Sequence, residues 1–257
     1  MAISKKTHNS TQSGFTLVEM SIVLVIIGLI VGGVLVGQDL VKAAQVRAVT
    51  GQIANYDAAV NTFRNKYGGM PGDFTKASSF LGAINGNGNS RLDDGSSVNV
   101  TTGFVNELQQ FWLQLSLAQM VSGAYTAAGA APSIAGTNIP ETKLKKGSIV
   151  MISEGSINYW LIGSASSVAN ATSTLTDLVG NLLTPVEAFG IDSKVDDGVA
   201  TSGVARAIHL IATTAITPES SGANDAAAGA DCIIVDDYDI VTAATSNVCT
   251  LYIRSAG

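Results

Sequence analysis

The chain has 257 residues, 46% of them hydrophobic and only 13% charged, with a formal net charge of −6. An acidic chain this poor in cations has no bulk attraction for nucleic acid, so no nucleic-acid partner is indicated. Its two cysteines, Cys232 and Cys249, lie too far apart for a CxxC redox pair or a zinc knuckle.

Residues 1–14 form a short polar leader that carries Lys5, Lys6 and His8 and ends in Gly14. The apolar run FTLVEMSIVLVIIGLIVGGVLVG follows at once, broken by a single acid, Glu19. A secretory signal peptide places its small-residue cleavage site after the apolar stretch. Here the cleavage point, between Gly14 and Phe15, precedes it, so cutting removes the lysines and leaves the hydrophobic segment as the new amino terminus. The run 15–37, about 23 residues and roughly 35 Å of helix, is long enough to cross a bilayer core of about 30 Å. The leader lysines place the amino terminus in the cytoplasm and the bulk of the chain outside it.

A carboxylate within a membrane helix is costly and normally has a partner. Glu19 lies close enough to the end of the span to snorkel to the headgroups. The sharper expectation uses the cut: a freed amine on Phe15 is a cation at the same depth, and a neighbouring copy shifted along the axis presents that amine to Glu19. On this reading Glu19 sets the register of self-assembly.

The segment KKTHNSTQSGFTLVEMSIVLVIIGLI resembles the amino terminus of type IV prepilins and the related pseudopilins of type II secretion systems. The resemblance covers about the first fifth of the chain. It implies cutting before Phe15 by a prepilin peptidase that also methylates the new amine, with Gly14, Phe15 and Glu19 in the family's processing and assembly roles. It implies a homo-oligomeric helical filament, built by an inner-membrane assembly platform and a motor ATPase. The chain is then expected as a single-pass protein of the bacterial inner membrane before assembly, and in a periplasmic pseudopilus or an extracellular pilus afterwards. One departure stands out: the helix-breaking Pro common in the family's apolar segment is missing, with none before Pro71.

Glycines stand in its place. Gly28, Gly32, Gly33 and Gly37 form two small-xxx-small patterns that let helix backbones approach closely. Beyond them, residues 38–67 continue as an amphipathic helix. Val46, Val49, Ile53, Tyr56, Val60, Phe63 and Tyr67 make one stripe, and Gln52, Asn55, Asp57, Asn61, Arg64 and Lys66 fill the opposite side. Gly68, Gly69 and Pro71 are its stop signal.

Residues 68–257 form the head. A short helix is expected after Asp73 and a second over 106–121, with Leu108, Phe111, Trp112, Leu115 and Met120 largely on one face. SIVMISE and INYWLIG read as a hairpin. Thr184, Pro185 and Glu187 give a capping box that starts a helix running to about Ile191. RAIHLIATT, CIIVDDYDIV and CTLYIRS read as further strands. The expected fold is α+β and pilin-like: a long amino-terminal helix, first transmembrane and then amphipathic, packed against an antiparallel sheet. Outside the cytoplasm Cys232 and Cys249 are expected to pair, and the family resemblance fits, since many pilins close a carboxyl-terminal loop with one disulfide.

Two loops carry candidate cation ligands. Asn85, Asn87, Asn89 and Asp93 follow the alternate-ligand start of an EF-hand, yet Ser90 replaces its invariant glycine, no bidentate Glu closes it, and a plain glycine–asparagine turn is the competing reading. Asp192, Asp196 and Asp197 form an acidic cluster that suits calcium or is neutralised by Lys194. The lysines Lys143, Lys145 and Lys146 read as a solvated loop. No cofactor is required.

There is no GxSxG, HExxH, Walker loop or GxGxxG followed by a fitting acid. His209, the one histidine left after the cut, alternates with apolar neighbours as a half-buried strand residue does. The sequence therefore reads as a filament subunit rather than an enzyme, with a minor pilin, adhesin or uptake module at a filament tip as the alternative.

Overall fold

The computed structural model describes residues 15–92, 106–127, 134–154, 157–165, 179–180, 182–208, 232–234, 237–241 and 246–256. The leader with Gly14, Asp93 and His209 lie outside the described residues. Helix α1 runs Leu17–Tyr67. The residues up to Lys42 and those from Ala43 onward form separate compact units. In the first unit every residue from Phe15 to Val36 is exposed, including Leu17 at 86% and Leu29 at 79%. A helix that apolar with no partner among the described residues has its hydrophobic surface unaccounted for.

In the second unit the distal part of α1 buries Val46, Val49, Ile53, Ala59, Val60 and Phe63, while Tyr56 and Tyr67 pack against the core partly buried. The helix ends where expected: Gly68, with φ of 75°, turns the chain left-handed and donates its N–H to the Arg64 carbonyl at 2.8 Å. One position departs from the expected pattern. Gln52, assigned to the polar side, is buried. Its Nε2 donates to the Tyr56 hydroxyl at 2.8 Å and to the Glu141 carbonyl at 2.9 Å, and its Oε1 accepts the Lys143 N–H at 2.9 Å. With its amide satisfied on both ends, burial costs little.

The short helix α2, Ala77–Leu81, and helix α3, Glu107–Leu117, follow. Helix α3 stops short of Val121 because Gln119 adopts a φ of 58°. Leu108, Phe111, Trp112 and Leu115 are buried as expected, with Met120 partly so. The polar side is buried as well and clamps the segments before and after α2. Gln114 accepts the Gly72 N–H at 2.7 Å and donates to the Ile84 carbonyl at 3.1 Å. Gln110 accepts the Ile84 N–H at 3.2 Å, and Glu107 accepts that of Asn87 at 2.8 Å.

Strands β1 (Ser148–Glu154), β2 (Ile157–Ala165), β3 (Val179–Gly180), β4 (Ala205–Ile208) and β7 (Thr250–Arg254) build one antiparallel sheet. The order is β1-β2-β7-β4, with β3 also paired to β2. β1 and β2 form the expected hairpin, register Met151 to Trp160. Ile149, Val150, Met151 and Ile152 are all buried, as are Trp160, Leu161 and Ile162, so both faces are covered and the strands read as continuous apolar runs. CIIVDDYDIV is not one strand: β5 (Ile233–Ile234) and β6 (Asp237–Tyr238) make a separate two-stranded hairpin. Helix α4 spans Pro185–Val195, a turn beyond the expected end.

Thr184 and Glu187 form the full capping box on α4. Lys146 is no solvated loop residue. Its Nζ pairs with Glu187 Oε2 at 2.8 Å and donates to the Leu182 carbonyl at 3.2 Å, locking the start of α4 to the loop before β1. This is the sole ion pair among the described residues.

Candidate assembly site at the amino terminus

The sequence places Phe15, Thr16 and Glu19 at the start of α1. Thr16 is its N-cap: its carbonyl accepts the Met20 N–H at 3.2 Å, the first rung of the helix ladder. Glu19 Oε2 accepts both the Thr16 N–H and the Thr16 hydroxyl at 2.8 Å, and the Glu19 N–H donates to Thr16 Oγ1 at 3.3 Å. This is a capping box, in which hydroxyl and carboxylate satisfy helix-end N–H groups reciprocally. A carboxylate there also meets the positive end of the helix dipole. The T-x-x-E spacing that signals it is plain in the sequence, but the apolar run draws attention to the cost of the charge rather than to its cap. The second oxygen, Oε1, takes no part in the cap.

The four glycines line the exposed part of α1. A Cβ built on Gly28, Gly32, Gly33 or Gly37 meets nothing within 4 Å, so no contact among the described residues requires glycine there. Leu17–Tyr67 is the one helix among the described residues that is long and apolar enough to cross a membrane, and its apolar part is a candidate membrane anchor.

The candidate cation loops look different. Asp73 sits inside the 85–91 loop, where its Oδ1 accepts the Gly88 N–H and its Oδ2 the Ser90 N–H, the latter at 2.6 Å. The oxygens of Asn85, Asn87 and Asn89 accept the N–H groups of Ser78, Asn89 and Arg91 at 2.8 to 2.9 Å. The loop thus directs N–H groups at a carboxylate of its own chain. Gly86 is required by that close approach, since a Cβ there would fall 2.2 Å from Asp73 Cα. Ser90, at the EF-hand glycine position, does adopt a positive φ of 64°.

In the acidic cluster one carboxylate oxygen each of Asp192, Asp196 and Asp197 lies within 4.8 Å of the others. Asp192 is fully buried and accepts the Tyr238 hydroxyl at 2.8 Å and the Gly198 N–H at 3.3 Å. Burial pushes its carboxyl up to about 6, against the pull of those two donors, with Asp197 and Asp196 adding to the rise. Asp196 accepts the Val204 N–H, and Asp197 takes the Val199 N–H and the Ser202 hydroxyl at 2.9 Å, bonds that hold its carboxyl below the usual value. Lys194 is exposed and forms no ion pair with the cluster, so local N–H and O–H donors, not the Lys194 ammonium, serve these acids.

Cys232 and Cys249 are bonded, with Cα atoms 5.0 Å apart and both residues fully buried. The bridge ties the residue before β5 to the residue before β7. Leu182 and Leu183 N–H groups donate to the Cys249 carbonyl at 3.0 and 2.9 Å, which binds the same point to the start of α4.

No curated protein and no solved structure matches the chain at a significant level. Residues 9–35 match the prokaryotic N-terminal methylation motif, which spans the leader's end, the Gly14 to Phe15 junction, Glu19 and most of the apolar run. That motif indicates a structural subunit. With an exposed apolar helix leading into an α+β head, the chain carries the signature of a type IV pilin or pseudopilin precursor.

Proposed function

We propose that this protein is a non-enzymatic filament subunit, cut by prepilin peptidase between Gly14 and Phe15, methylated on the Phe15 amine and polymerised through residues 15–37. The observation that carries the reading is the match to the methylation motif lying on a helix whose apolar side chains find no partner among the described residues. In the membrane, lipid covers that surface; in a filament, the same surface of other copies does. Gly28, Gly32, Gly33 and Gly37, free of internal contacts, serve close approach between those helices. An inner-membrane platform and motor ATPase add subunits, and the head remains outside the cytoplasm.

Glu19 has two roles on this account. Oε2 caps its own helix, while Oε1 is left to accept the Phe15 amine of a neighbouring copy. Two substitutions test the assembly role. Glu19→Gln keeps an acceptor for the cap and loses the charge, and Glu19→Ala loses both. Both variants are expected to be processed and inserted normally while filament yield, read by shearing and electron microscopy, falls to background. Wild-type filament yield from Glu19→Gln would refute the charge-pairing role.

A further inference from the structure

A groove of about 440 Å³ opens on the second unit, within the usual range of small-molecule pockets of about 300 to 1,000 Å³. It is lined on α1 by Ala48 and Gly51, whose small size keeps it open, and by Asn55 at the rim. One wall is the segment after α3 with Tyr125; the other is the segment before β1 with Glu141 and Lys143. Three properties of this groove point to one class of ligand.

The first is a supported aromatic surface. Tyr56 and Tyr125 line the groove half-buried, and each packs on the fully buried Trp112, with ring centroids 4.8 and 5.8 Å apart. Rings held from behind offer an apolar face at little entropic cost. Burial drives the Tyr56 phenol up to about 12, so it stays neutral, and its hydroxyl is already engaged by Gln52.

The second property is unspent polar capacity on the rim. The Asn55 carboxamide, the Glu141 carboxylate and the Lys143 ammonium have no hydrogen-bond or ion-pair partner among the described residues, and all three residues are exposed. Gln52, by contrast, spends both ends of its amide on holding the Glu141 to Lys143 wall to α1. The third property is balance. One carboxylate, one ammonium and one amide supply donors and acceptors without an excess of either charge, which suits neither a metal ion nor a polyanion. An apolar ring face beside hydroxyl groups that each donate and accept matches the set.

We propose that this groove binds a saccharide, one face of a pyranose ring lying on Tyr125 and its hydroxyls meeting Asn55, Glu141 and Lys143. The site goes beyond polymerisation: it gives the head a ligand, whether or not the chain forms filaments.

The test uses the full mature chain in a detergent without a sugar headgroup. Methyl β-D-glucopyranoside, methyl α-D-mannopyranoside and N-acetylglucosamine serve as probes in saturation-transfer NMR, with a Gly-Ser peptide as the competing ligand class. Saturation is expected on the ring protons of at least one pyranose. Tyr125→Ala should weaken binding about tenfold, the worth of one aromatic contact. Because Tyr125 also touches Trp112, Asn55→Ala on the exposed helix surface is the second variant, expected to weaken binding severalfold with an unchanged circular dichroism spectrum. No transfer to any pyranose, transfer to the peptide alone, or pyranose binding untouched by Asn55→Ala and a folded Tyr125→Ala would each overturn the proposal. Filament formation is scored separately, so loss of sugar binding and loss of assembly are distinguishable.

Discussion

Asp57 on α1 accepts the indole N–H of Trp160 on β2 at 2.8 Å, joining the helix to the centre of the sheet. The same oxygen accepts the Ser255 hydroxyl at 2.8 Å and the Ala256 N–H at 3.4 Å, so the chain end after β7 closes on the same point. Trp160 is fully buried and packs against Tyr56, Phe111 and Trp112. One carboxylate on the helix therefore fixes how the sheet and the carboxyl terminus meet the aromatic core.

Asp57→Ala leaves the Trp160 indole N–H buried without an acceptor. The expected loss is about 1 to 3 kcal/mol of stability, the cost of an unsatisfied buried donor. Urea denaturation of the mature chain checks it: a lower midpoint with an unchanged slope is expected, and an unchanged midpoint would show that Asp57 holds nothing.

The disulfide closes a loop with a sequence separation of 17 that contains the β5–β6 hairpin. In the chain-entropy account a loop of this size contributes about 3 kcal/mol. The double variant Cys232→Ala, Cys249→Ala should lose a comparable amount, and wild type under strong reductant should shift in the same direction. Equal midpoints for oxidised and reduced protein would contradict this.

Asp192 gives the fold a pH dependence with a definite sign. Its folded value of about 6 lies above the ordinary 3.8, so its contribution is fully present below about pH 4 and is lost as pH rises through about 6. Asp192→Asn cannot ionise and keeps an oxygen for the Tyr238 hydroxyl. The melting temperatures of wild type and variant should coincide near pH 4, with the variant pulling ahead by pH 7 as Asp192 in the wild type ionises. A difference that stays flat across that range would remove Asp192 as the titrating group.

Local signals in the sequence carried a large part of this structure. The stripe from Val46 to Phe63, the Gly68 stop and the Thr184 to Glu187 capping box are all patterns within a few residues, and the chain folds accordingly. Long-range polar contacts were not legible. Gln52 reads as a solvent-facing residue because its partners, Glu141 and Lys143, lie about ninety residues away; Gln110 and Gln114 were hidden in the same way by the loop they hold. Lys146 looked like one of three solvated lysines until Glu187 came within 2.8 Å. At the amino terminus the residues are plain in the sequence but one relationship between them is not. Glu19 reads as a charge in search of a partner, and its first partner proves to be Thr16, three residues before it.

Intact-mass and amino-terminal analysis of the protein from native cells tests the central claim most directly. The account predicts a chain beginning at Phe15 with a singly methylated amine. A chain that retains residues 1–14, or one cut after Gly37 so that the apolar helix is lost, would contradict it.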